Sequence, residues 1–122
     1  MDNRNSLMQT EFILVITTCP SADQAKELAR ELVKRKLAAC VQISRGISSV
    51  YEWQGELCEE QEFNLQIKCL AQHYSAIEHT LSTLHPYDVP ELIAVPITQG
   101  LPAYFDWIKE TTQPWKESLT CF

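Results

Sequence analysis

Hydrophobic and polar positions change period several times along this 122-residue chain, and each change marks an element. Phe12-Ile13-Leu14-Val15-Ile16 is an unbroken β-prone apolar run, the pattern of a strand covered on both faces. Pro20 and Ser21 stop it, and Ser21 with Gln24 three residues on matches a capping box. Ala25, Leu28, Ala29, Leu32 and Val33 then recur at helical spacing as one apolar stripe. Lys34, Arg35 and Lys36 fall in the last turn, where the negative end of the helix macrodipole favours cations.

From Val41 to Lys68 the period is two. Val41, Ile43, Ile47, Tyr51 and Trp53 share one parity, which puts them on one face of an uninterrupted strand. Phe63, Leu65, Ile67 and Cys69 alternate with Asn64, Gln66 and Lys68 on the way back, and Gln54-Gly55 supplies the turn. The first arm, at roughly 3.3 Å per residue, reaches about 40 Å. The preceding helix, at roughly 1.5 Å per residue, covers about half of that. Tyr51 and Trp53 on the far half therefore need cover from another chain.

Beyond Leu70 the helical period returns with Tyr74, Ile77, Leu81 and Leu84, and Pro86 ends it. Leu92 to Ile97 is a second strand apolar on both faces, where Pro96 implies an edge or a bulge. Pro102 suits the first turn of a further helix with Tyr104, Trp107 and Ile108 inward. The order strand, helix, strand, strand, helix, strand is that of a ferredoxin-like βαββαβ sandwich, an α+β fold, here with a long β-hairpin and an extra C-terminal helix. It occupies residues 11–112 as a single domain, between a flexible N-terminal tail (1–10) and a C-terminal tail (113–122). Two helices cover one side of such a sheet, so the other side is expected to be buried in a homo-oligomer.

Composition narrows the function. A net charge of −6 argues against nucleic acid or an anionic membrane as partner. No apolar run is long enough to span a bilayer, and Met1 to Thr10 lacks the apolar core of a signal peptide, which predicts a cytoplasmic protein. Five cysteines without a CxxC pair point to reduced thiols. The three glycines, Gly46, Gly55 and Gly100, exclude a P-loop and a GxGxxG fingerprint.

Candidate chemistry is sparse. His73, His79 and His85 recur every six residues, a spacing that does not align them on one helix face. No HExxH or clustered His/Cys spacing is present, and no metal is required for folding. Cys40 and Cys69 read as small core hydrophobes, whereas Cys58 and Cys121 are accessible thiols of the kind that suits Cu(I). Glu56, Glu59, Glu60 and Glu62 read as a solvated arm that blunts edge pairing. The most specific stretch is His85-Pro86-Tyr87-Asp88-Val89-Pro90-Glu91, a stiff connector carrying an imidazole, a phenol and carboxylates. No nucleophile and base stand together, so an enzyme is not expected; an acid/base pair of His85 and Glu91 ranks last.

Ala38-Ala39-Cys40-Val41, Ser49-Val50-Tyr51-Glu52-Trp53-Gln54-Gly55-Glu56, Glu60, Glu62, Lys68 and His85-Pro86-Tyr87 with Pro90-Glu91 together resemble the CutA divalent-cation tolerance family, from about Phe12 to Trp107. The resemblance implies a homotrimer with PII-like architecture and a role in tolerance of divalent metals, copper in particular. It also implies an inter-subunit cleft built on Trp53, Glu62, Lys68 and Tyr87, with His85 and Glu91 as metal ligands. Asp88 stands where the family often has glutamate and Cys69 where threonine is common; Cys58 and Cys121 are not family hallmarks. The leading expectation is a trimeric, metal-responsive protein that binds copper or another divalent metal. The alternative is a PII-like signalling or adaptor trimer that binds a small anionic metabolite, with Lys68 as its charge and Trp53 as a stacking surface.

Overall fold

A computed structural model of the chain describes residues 10–113. The tails expected at 1–10 and 113–122, with Cys121, lie outside the described residues except for Thr10 and Gln113. The elements are β1 (Phe12–Cys19), α1 (Ala22–Lys34), β2 (Cys40–Trp53), β3 (Glu56–Leu70), a 3₁₀ turn (Ala71–His73), α2 (Tyr74–Leu84), β4 (Ile93–Pro96) and α3 (Pro102–Thr111). The sheet runs β2-β3-β1-β4 with every neighbouring pair antiparallel. Each βαβ half thus brackets a strand of the other, the order expected from the pattern of elements. Pro96 ends β4, an edge strand, where the ladder loses nothing by its missing N–H.

Local chemistry sets the ends of the elements. Ser21 caps α1 by accepting a hydrogen bond from the Gln24 amide at 3.2 Å, and its hydroxyl donates to Gln24 Oε1. At the other end the Lys36 amide reaches the Val33 carbonyl and the Leu37 amide reaches that of Leu32, a Schellman closure. Lys36 occupies its left-handed position with φ +62°, where glycine is usual. Gln54 and Gly55 both have positive φ, as a two-residue type I′ hairpin turn demands.

The main core lies under α1 and α2. Ile13, Val15 and Cys19 of β1 and Leu65, Ile67 and Cys69 of β3 meet Leu28 and Leu32 of α1 and Ile77 and Leu81 of α2. A second, smaller cluster sits on the opposite sheet face, where α3 lays Ile108 over Phe12 and Leu70. Phe105 stacks on Phe12 with ring centroids 4.1 Å apart. This corrects the expected inner face of α3: Phe105 packs inward with Tyr104 and Ile108, whereas Trp107 stays exposed, stacked on Tyr104.

The long hairpin departs from its expected geometry in one decisive respect. Ser44 pairs with Asn64 and Ile47 with Glu62, so Arg45 and Gly46 together oppose Phe63. This β-bulge has Gly46 at φ +81°. Directly opposed residues share a face. Val41 and Ile43, across from Ile67 and Leu65, therefore face the helices, whereas Ile47, Ser49, Tyr51 and Trp53, across from Glu62, Glu60, Cys58 and Glu56, face the other way. The five residues expected on one face are split between two.

Among the described residues nothing covers the second sheet face beyond α3. Ile93 and Val95 of β4 are 50% and 43% exposed beside Ile16 and Leu14 of β1. Past the helices, Val50 and Leu57 on the other side of the hairpin are 61% and 74% exposed. Among the described residues no helix is long and apolar enough to cross a membrane.

Candidate functional site

The connector from His85 to Glu91 is fastened to the end of β1. Pro86 releases the chain from α2, and His85 caps it in extended geometry. Its buried imidazole uses both nitrogens: Nε2 lies 2.7 Å from the Thr18 carbonyl, and Nδ1 accepts from the Tyr87 amide at 3.1 Å. With Nδ1 accepting, the ring nitrogen that donates to the Thr18 carbonyl is Nε2. A second staple follows when the buried Thr17 hydroxyl donates to the Glu91 carbonyl at 2.6 Å. The connector so held occupies the space beyond Cys19, beside the part of β3 that outruns β1.

There it meets the bulged hairpin. Because the bulge turns Ser49, Tyr51 and Trp53 onto this side, they and Glu62 form one wall, and Tyr87, Asp88 and Glu91 form the other. The cleft between them has a volume of about 680 Å³ and is also lined by Thr18, Val50, Pro86 and Val89. Among the described residues of the chain, no lysine, arginine or histidine lines it. Glu62, expected on a solvated arm, is only 6% exposed, because the connector lies over it. Its Oε2 accepts a hydrogen bond from the Tyr87 hydroxyl at 2.7 Å. Burial first, then that bond and the charges of Glu62 and Glu60, push the Tyr87 phenol well above its usual range. Burial, with Glu60 the leading charge, also raises Tyr51. The cleft is thus a field of negative charge between aromatic walls.

Of the residues singled out in the sequence, Trp53, Glu62, Tyr87 and Glu91 come together here within one chain. His85 lies behind the wall, as a positioning group for the connector. Lys68 is elsewhere. It pairs with Cys40 and Leu14, donates to Gln42 Oε1 at 2.7 Å and sits over the Tyr104 ring. Six residues of strand, about 20 Å, separate it from Glu62. Thr18, Ser49 and Tyr51 were not assigned to the site from sequence; a parity shift at Gly46 was the signal for the last two. Cys58 faces Tyr51 across the hairpin, its thiol 3.7 Å from the Glu56 carbonyl. Among the described residues no group of three or more His, Cys, Asp or Glu is placed to hold a metal ion.

A family profile described as CutA1 divalent ion tolerance protein matches residues 13–111. The chain belongs to the CutA1 family. It is 42% identical over 99 residues to the divalent-cation tolerance protein CutA of Thermus thermophilus, covering 81% of this chain and 96% of that one. It is 47% identical over 91 residues to the CutA homolog of Xenopus laevis, covering 75% of this chain and 60% of that longer protein. The solved structure of CutA1 from Shewanella sp. SIB1 superposes with a TM-score of 0.81 at 48% identity, over 83% of this chain and 94% of that one. The four-stranded antiparallel sheet with its three helices is therefore the CutA1 fold.

Proposed function

We propose that this CutA1 chain acts in tolerance of divalent metal ions, copper among them, as a cytoplasmic homotrimer whose acidic cleft receives cations. The observation that carries this reading is the charge of the cleft: Glu62, Asp88 and Glu91 line it, and among the described residues of the chain no basic side chain does. The names of the relatives supply the tolerance role. Carboxylates suit hard divalent ions. A resident metal does not fit, because the three carboxylates form no cage of three donors and both nitrogens of His85 are committed to the backbone. A metal ion here is a visitor, held by one or two carboxylates with most of its water kept.

The trimer is supported by the apolar sheet face and hairpin that a single chain leaves uncovered. The cytoplasm is supported by the four free thiols among the described residues. The rival reading, an anionic metabolite in the same cleft, loses its charge carrier within the chain, since Lys68 lies at the far end of β3.

The test is calorimetry of chelator-washed protein with Cu(II), Zn(II) and Cd(II). We expect weak, saturable binding, reduced several-fold in Glu62→Gln and in Glu91→Gln. Binding unchanged in both variants rejects the cleft as the cation site. Sedimentation equilibrium tests the assembly: the expected mass is three times the 14.0 kDa chain, and a stable monomer at micromolar concentration contradicts it.

A further inference from the structure

The sheet face beyond α3, uncovered among the described residues, is divided by its register into two halves of different chemistry. One row across the sheet runs Gln42, Gln66, Ile16, Ile93, and the next runs Ser44, Asn64, Thr18. Directly opposed residues share a face. Strands β1 and β4 therefore give this face an apolar half, Leu14, Ile16, Ile93 and Val95, whereas β2 and β3 give it an amide half, Gln42, Asn64 and Gln66 with Ser44. Between Lys68 at one end and Glu62 at the other, neither row carries a charge. In a chain with 21% charged residues, such a gap has the composition of an interface core, where charged residues are depleted.

We infer that the amide half is the surface by which this chain selects its own copies: in the trimer proposed above, on which this rests, Gln42, Asn64 and Gln66 hydrogen-bond across the seams to the same strip of the other subunits. Among the described residues Asn64 and Gln66 have no side-chain hydrogen-bond partner, and Gln42 uses only its Oε1, which accepts from Lys68. Water satisfies these groups in a single chain. Once the face is covered that water is displaced, and each amide needs a replacement. A carboxamide carries two donors and an acceptor in one group, so a strip of them is complementary to its own copy, as a symmetric assembly requires. A strip of one charge would repel its copy, and a wholly apolar strip would accept any apolar face. The apolar half supplies buried area, and the amide half chooses the partner. A subunit that brings leucine or valine against the strip leaves buried donors unpaired, and that loss rejects it.

The experiment is co-refolding from urea of the full-length parent with an isotope-labelled double variant, Asn64→Leu with Gln66→Leu, followed by native mass spectrometry. Labelled and unlabelled parent refolded together should give the statistical distribution of labels among trimers. Parent and variant should sort instead, with mixed trimers at least tenfold below their statistical share, because every mixed seam sets amides against leucine. Statistical mixing of parent and variant overturns the inference and leaves the trimer standing. A parent found as a 14.0 kDa monomer sinks the trimer reading and this inference with it. Should the variant fail to fold, hydrogen exchange in the parent decides. The side-chain amide protons of Asn64 and Gln66 should exchange at least tenfold more slowly than those of the exposed Gln72, and equal rates overturn the inference.

Discussion

The hydrogen bond from Tyr87 to Glu62 holds the connector against the hairpin, and its worth can be measured. At 2.7 Å, with its acceptor 6% exposed, it is a charge-assisted bond in a largely desolvated place. Hydrogen bonds to charged groups contribute about 1.5–3 kcal/mol, and neutral ones about 1 kcal/mol. Tyr87→Phe removes the only donor that Glu62 has among the described residues and should cost about 2 kcal/mol. In a Glu62→Gln background the same change removes a neutral bond and should cost about 1 kcal/mol. The cycle therefore predicts a coupling of about 1 kcal/mol. Urea unfolding at one fixed protein concentration is the assay, since the apparent stability of an oligomer depends on concentration. Costs that add within about 0.3–0.5 kcal/mol would mean that the bond does not couple the two walls. The phenol gives a second readout. Its folded pKa is raised, so the stability it contributes is complete below about pH 10, the unfolded value, and is lost at higher pH as the folded phenol ionises. Tyr87→Phe should remove that part of the alkaline loss.

Three further outcomes follow from the backbone and the core. Lys36→Gly relieves a left-handed residue in the Schellman closure and should stabilise by about 0.5–1 kcal/mol; a neutral or destabilised variant by urea midpoint contradicts this. Gly46→Ala meets no atom within 4 Å, so its cost is backbone strain alone, about 1–2 kcal/mol, and a neutral result would show that the bulge does not need its positive φ. Burial raises the thiols of Cys19 to about 11 and Cys69 to about 12 from 9.0. Each therefore adds stability that is complete below pH 9 and lost as pH climbs through the folded value, on the order of 3 kcal/mol apiece. In Cys19→Ala the decline of urea midpoints between pH 9 and 11 should be shallower than in the parent.

Much of the fold was legible because its elements obey simple periods. The α1 stripe, the Ser21 cap, the Gln54-Gly55 turn and the edge position of β4 all come from local rules that tertiary packing does not override here. The faces of β2 were not legible by parity alone. A bulge inserts one residue and inverts every side chain after it, and only Gly46 in mid-strand hinted at one. The site shows the same division. Trp53, Glu62, Tyr87 and Glu91 line one cleft of the single chain. The stapling of His85 by Thr18 depends on where β1 ends in space, which no spacing in the sequence encodes. Lys68 fell out of the cleft of its own chain because even-numbered positions of β3 share a face along about 20 Å of strand without sharing a location.

The central claim, that cations enter between the hairpin and the connector, is tested most directly by mapping paramagnetic broadening in an amide NMR spectrum as Cu(II) is added substoichiometrically to the metal-free protein. The amides of Tyr51, Trp53, Glu62, Tyr87, Asp88 and Glu91 should broaden first and together. Broadening that begins instead around His73 and His79, or at Cys58 alone, would contradict the account.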